Sequence, residues 1–174
     1  YSIEAHSHRL AAWEAATAAR ASPLCRFKVS IGFRILEAAG FDHDFRLPEQ
    51  LLRPEEMDAL HLEWRNNAKR AAVDVHGEAF GESFSHGVAA KLINSYLKAR
   101  FVCGGKHMEA NVSCLHPPID SLLLQVLARA NIGGFQRDWR RFNNLRWSRF
   151  DAVQYQEVID TIRLAIPNEP LWKI

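Results

Sequence analysis

The chain has 174 residues, enough for one domain whose core stands without disulfide or metal staples. With 48% hydrophobic and 24% charged residues and no low-complexity tract, its composition is globular, which excludes a disordered or fibrous chain. A net charge of only +2 excludes a bulk polycation, so any surface for nucleic acid must come from uneven placement of charge.

The predicted elements are all helical, with no strand alternation and no internal repeat. Ile3 to about Arg20 is an alanine-rich helix broken by Ser22-Pro23. Phe27 to Ala39 carries Phe27, Ile31 and Ile35 at four-residue steps, and Gly40 supplies its C-terminal stop. Leu47-Pro48 and Arg53-Pro54 mark a linker. A long helix then opens at Pro54 and runs to His76, with Glu55 and Glu56 in its first turn, where the helix dipole favours anions. Gly77 to Gly87 reads as a glycine- and serine-punctuated loop. Val88 to Val102 is a strong helix ended by Gly104-Gly105, and Asp120 to Arg129 is another, ended by Asn131 to Gly134. The last runs from Asp151 to Ala165 and stops at Pro167. The expectation is a single compact all-α domain over residues 1–174.

Charge is distributed unevenly along this chain. Asp42 to Glu63 is acid-rich, whereas Arg129, Arg137, Arg140, Arg141, Arg146 and Arg149 face a single Asp138. The three cysteines, Cys25, Cys103 and Cys114, cannot all pair. Neither a signal peptide nor an apolar run of bilayer length is present, so a reduced, cytoplasmic setting without a membrane partner is expected.

Two residues carry candidate chemistry. Pro117 and Pro118 impose an extended approach to Asp120, which falls at a helix N-cap where its oxygens accept backbone N–H bonds and stay ionised. Taken alone, Asp120 reads first as an ordinary cap, and what raises the other reading is a partner. Lys91, in GVAAKLINSYLK, lies on a polar, small-residue face with Gly87, Asn94, Ser95 and Lys98, beside the stripe Ala89, Leu92, Ile93, Tyr96, Leu97. Partial desolvation there favours the neutral amine, a usable nucleophile. Exposure to solvent is the plain alternative.

Lys91 in GVAAKLINSYLK followed by Asp120 in PPIDSLLL resembles the helix-hairpin-helix DNA glycosylases, in wording most like the archaeal 8-oxoguanine glycosylase branch. In that family a lysine on one helix precedes a Pro-hydrophobic-Asp sequence at the start of the next core helix. The resemblance spans Gly77 to Arg129 and rests on short motifs. It implies Lys91 as the nucleophile that captures C1′ as a Schiff base, with possible strand cleavage. It implies Asp120 as the carboxylate that steadies the oxocarbenium-like sugar and helps deprotonate the lysine. The partner would be double-stranded DNA with a flipped base, in a nucleoid-associated setting. Genome repair and attack on foreign modified DNA, as in phage defence, fit equally. The usual Leu-Pro-Gly-hydrophobic-Gly hairpin is replaced by Phe84-Ser85-His86-Gly87, a divergent hairpin in which His86 and Gly87 are the candidates for the DNA backbone. Three cysteines are too few for the iron–sulfur cluster of some relatives, and no cofactor is expected.

The stretch FQRDWRRFNNLRWSRF, Phe135 to Phe150, interleaves arginines with Trp139, Phe142 and Trp147. Arginines fork onto phosphates and exposed aromatics stack on bases, so Trp139, Arg140, Arg141 and Trp147, with Lys98, are candidate nucleic-acid contacts. Core packing of the aromatics is the alternative. Cys103, His107, Cys114 and His116 have a metal-like composition but no standard zinc spacing, and no metal is expected. Arg70 and His76 in RAAVDVH resemble the arginine–histidine pair of the HEPN helical ribonucleases, giving a second enzymatic reading with His76 as general base and Arg70 as phosphate clamp. A non-catalytic nucleic-acid-binding helical module is the third.

Overall fold

The helix at the centre is buried all round. In α5, His86–Leu97, every residue from Gly87 to Leu97 is buried, which requires other helices on all sides. The computed structural model describes residues 1–174 except 1, 21, 23, 43, 46, 47 and 52, so the predicted break at Pro23 and linker residue Leu47 lie outside the described residues. Around α5 it places α1 (Ile3–Ala19), α2 (Val29–Ala38), α3 (Met57–His76), α4 (Glu78–Ser83), α6 (Ala110–Ser113), α7 (Ser121–Arg129), α8 (Gln136–Leu145) and α9 (Ala152–Ala165), with no strand among the described residues. This is a single all-α domain. No helix among the described residues is long and apolar enough to cross a membrane.

The closest neighbour of α5 is α1. Ala11, Ala12, Ala15, Ala16 and Ala19 form a buried small-residue stripe at helical spacing, which lets the two backbones approach. The N-terminus of α5 is stitched to the segment after α8. Ser85 caps Val88 N–H at 3.1 Å and donates to Ser148 O at 2.9 Å, while Gly87 N–H donates to Phe150 O at 3.1 Å. A Cβ on Gly87 would lie 1.7 Å from Trp147 O, so only glycine fits this contact.

Three elements differ from expectation. The Gly77–Gly87 loop contains α4, so α4 and α5 form a helix pair with a two-residue connection, Phe84-Ser85. The predicted Val88–Val102 helix begins two residues earlier and continues past Leu97 as a π-helical stretch, Lys98–Lys106, closed by Gly105 at φ +83°. The arginine-rich stretch holds α8, whose buried Trp139 and Phe142 lie three residues apart and form its inner stripe. The turn into α8 uses Asn131, Gly133 and Gly134, all at positive φ. The alternative reading of the aromatics prevails for Trp139. It is fully buried and its Nε1–H donates to Ile132 O at 2.9 Å, so it packs the core and cannot stack on a base.

Candidate active site

Lys91 is 7% exposed, and its Nζ donates to Asp120 Oδ2 at 2.6 Å. The Trp147 ring lies 5.9 Å from the same ammonium, so Trp147 is an inner wall of the site rather than an outer DNA contact. Asp120 divides its two oxygens. Oδ1 accepts from Leu123 N–H at 2.8 Å and caps α7, and Oδ2 holds Lys91. Partial burial pushes the Asp120 carboxyl up, but the backbone N–H of Leu123 and then the Lys91 ammonium outweigh it and hold the carboxyl below the ordinary range. The cap and the ion pair are therefore one arrangement.

The approach to Asp120 is held from behind. Asn94, one turn beyond Lys91 on α5, donates from Nδ2 to Pro117 O and to the Tyr155 hydroxyl, each at 2.9 Å. Its Oδ1 accepts from His61 Nε2 at 2.7 Å. Asp58, an acceptor, takes the Nε2–H of His116 at 3.0 Å, which leaves His116 Nδ1 to accept from Tyr155 O–H at 3.1 Å. Arg163 grips Asp58 with two bonds of 2.6 and 2.7 Å, and Gln156 adds a third at 2.9 Å. The Arg65 guanidinium covers the Tyr155 ring at 4.3 Å. A continuous polar chain thus runs from α9 and α3 through α5 to the loop that presents Asp120. The sequence marked Asn94 on the polar face of Lys91 and His116 in a metal-like group, but nothing in it linked them to Tyr155, Asp58 or one another.

This network makes stability depend on pH. Burial holds His61 and His116 below the ordinary histidine value, aided for His61 by the neighbouring His116 ring and the Arg65 charge, while Asp58 opposes the shift at His116 without reversing it. Below an unfolded value of about 6.5, the unfolded chain takes up protons that the folded chain refuses, so stability falls as pH drops. Each histidine contributes up to about 1.4 kcal/mol per pH unit. Asp58 acts in the same direction further down. Burial raises its carboxyl, but the hydrogen bonds of His116 and Arg163 overcome this and hold it well below the ordinary value, so its contribution is present above about pH 4 and lost under more acid conditions. Urea midpoints measured from pH 7 to pH 5 are expected to fall throughout; a flat profile would contradict the neutral buried histidines.

A cleft of about 640 Å³ opens between α1 and the chain that follows Lys91, and Lys91 and Asp120 are not among its lining residues. It is lined by Leu10, Trp13 and Glu14 of α1, by Ser95 of α5, by Lys98 of the π-helical stretch, and by Pro118, two residues before Asp120. Trp13 is 56% exposed. Lys98 sits at the rim, its Nζ 3.3 Å from Trp172 O. Trp13 and Glu14 were not foreseen from sequence. The signal was a tryptophan and a glutamate on the outer side of an alanine-rich helix.

The remaining candidates separate. Gly87 is buried with its N–H committed to Phe150 O, so that amide is not available to a DNA phosphate. His86 is half-buried and neutral, pushed down to about 4 by burial and by the charges of Arg65 and Lys69. Arg140 is exposed and lines a cleft of about 420 Å³ between α7 and α8 with Arg129, Asn143 and Asn144. Arg141 is exposed but engaged by Glu157 at 3.0 Å, and its guanidinium covers the Phe142 ring at 4.4 Å. Arg70 bonds Asn67 on its own helix, and His76 packs its ring against Phe80 at 4.8 Å; their spacing puts them on different faces of α3. Among the described residues no group of histidine, cysteine, aspartate and glutamate is arranged to hold a metal ion, and His116 and Cys114 serve internal bonds. No family model matches the chain, and neither a curated protein nor a solved structure does.

Proposed function

We propose that this chain is a DNA N-glycosylase with an accompanying lyase step, acting on a base turned out of the duplex. The observation that carries the reading is a nearly buried amine held 2.6 Å from a carboxylate whose other oxygen caps a helix. Burying an ammonium is costly, and a surface position would serve a purely structural ion pair better. In a catalytic site the same cost yields a nucleophile shielded from water.

In this reading a base enters the cleft and meets the exposed face of Trp13, since flipped bases are held by aromatic walls. Cleavage of the glycosidic bond leaves positive charge on the sugar. Asp120, ionised and fixed by the Leu123 N–H, lies where that charge is stabilised. Lys91 then bonds C1′, and the resulting Schiff base permits strand cleavage. Exposed arginines on α7 and α8, Arg129 and Arg140 among them, supply phosphate contacts.

The direct test is release of free base from duplexes carrying single candidate lesions, assayed separately from strand cleavage. Lesion-dependent release supports the reading, and strand binding without release from any of them favours the non-catalytic module. A salt titration isolates the arginine contribution. Arg140→Ala is expected to weaken binding to all duplexes alike and to reduce the slope of log affinity against log salt by about one. An unchanged slope would remove α8 from the interface.

A further inference from the structure

Asn131, Gly133 and Gly134 reverse the chain at positive φ, and α8 packs back along α7 as a helical hairpin. Helical spacing then sets two polar rows facing one another. Gln125 and Arg129 stand one turn apart on α7, and Arg140 stands one turn before Asn143 and Asn144 on α8. With Ala128 as their apolar neighbour these five side chains line the cleft of about 420 Å³, and no carboxylate lines it. Among the described residues none of the five makes a side-chain hydrogen bond or ion pair. Neighbouring arginines are supplied with acceptors from within the chain: Arg141 has Glu157, and Arg163 has Asp58 and Asp160. The carbonyl end of α7 favours a cation at Arg129, but it accounts for neither Arg140 nor the amides.

We infer that this cleft holds one unpaired nucleotide of a nucleic-acid strand, its phosphate between Arg129 and Arg140 and its base edge on Gln125, Asn143 and Asn144. Guanidinium forks match phosphate oxygens. A bare anion accepts hydrogen bonds and donates none, so it would leave three carboxamide oxygens unused. An open base edge both donates and accepts, as a carboxamide does. Bases inside a duplex are closed to such a row, hence an unpaired one. The volume suits a ligand of that size, since small-molecule sites run from about 300 to 1,000 Å³.

This is a second site, separate from the Lys91–Asp120 pair. With about 3.6 residues per turn, Gln125 and Arg129 lie about 140° and about 180° around the α7 axis from Asp120. A strand held in the cleft is therefore anchored on the far side of the helix that Asp120 caps. The assignment uses nothing of the lysine chemistry, so failure of base release or of trapping leaves it standing.

The test is fluorescence anisotropy of the whole chain with a short labelled single strand, the same strand made wholly abasic, and a blunt duplex. The strand with bases is expected to bind roughly tenfold tighter than the abasic one. Gln125→Ala/Asn143→Ala is expected to erase that ratio and to leave duplex affinity within about twofold of wild type. Gln125 is exposed, so Gln125→Ala alone, expected to remove part of the ratio, keeps the test open should the double variant melt early. Arg129→Gln/Arg140→Gln is expected to weaken both single strands and to lower the slope of log affinity against log salt by about 1.4, at about 0.7 for each contact. Arg26→Gln, at an exposed arginine outside the cleft, controls for overall charge and is expected to leave the slope unchanged. Equal affinity for the strands with and without bases would overturn the inference. So would a ratio that survives in the amide variants, or a slope unchanged in the arginine variant. An equal loss on the blunt duplex in the amide variants would make these residues backbone contacts and overturn it as well.

Discussion

Asp120→Asn is expected to slow base excision on the order of 10²–10³-fold while leaving the fold intact. Asparagine caps helices about as well as aspartate, so its side-chain oxygen still accepts the Leu123 N–H that starts α7. What disappears is the negative charge that faces Lys91 from the second oxygen. The substitution therefore separates the two tasks that one carboxyl performs here. A structural cap alone predicts an active variant, and a charge-stabilising carboxylate predicts a folded, nearly inactive one. Thermal unfolding beside single-turnover excision distinguishes them. Full activity in Asp120→Asn would contradict the role assigned to this residue.

Gly87→Ala carries the largest expected effect on stability. The added Cβ would sit 1.7 Å from Trp147 O and 3.2 Å from the Phe150 side chain, and a backbone carbonyl cannot swing away as a side chain does. The segment from Trp147 to Phe150 has to lift from the start of α5, stretching the Gly87 N–H to Phe150 O bond and the Ser85 to Ser148 bond beside it. Overpacking of this kind costs about 3 kcal/mol or more. For a chain of this size that lowers Tm by roughly 6–12 °C. Because Trp147 also walls Lys91, trapping should fall along with stability. Gly104→Ala is the control, since its Cβ meets nothing closer than 3.9 Å and the residue is exposed. Equal melting of the two variants would contradict the close contact at Gly87.

The helices with clear stops were legible before the fold was seen. Gly40, Gly105 and the N-caps Asp120 and Asp151 end or start helices where local chemistry alone dictates it. The meeting of Lys91 with Asp120 was anticipated by the resemblance that set the two in one site, while local pattern alone gave a polar face for Lys91 and an N-cap for Asp120. Less was visible for α8. Its apolar residues are few among arginines and asparagines, so charge read as surface while Trp139 and Phe142 went to the core. The same bias assigned Trp139 to DNA. Gly87 was read as a hairpin tip because glycine marks close approach, and the approach is real, but the visitor is Trp147 of the same chain. Asn94, Tyr155, His116 and Asp58 form their network only through tertiary contacts between distant segments, for which local periodicity carries no signal.

The central claim is that Lys91 is the amine that bonds C1′. Borohydride trapping on an abasic duplex, followed by digestion and mass spectrometry of the cross-linked peptide, tests it most directly. The account predicts one adduct, on Lys91, and none with Lys91→Gln in a protein that melts as a folded domain. An adduct mapped to another lysine, or undiminished strand cleavage by Lys91→Gln, would contradict it.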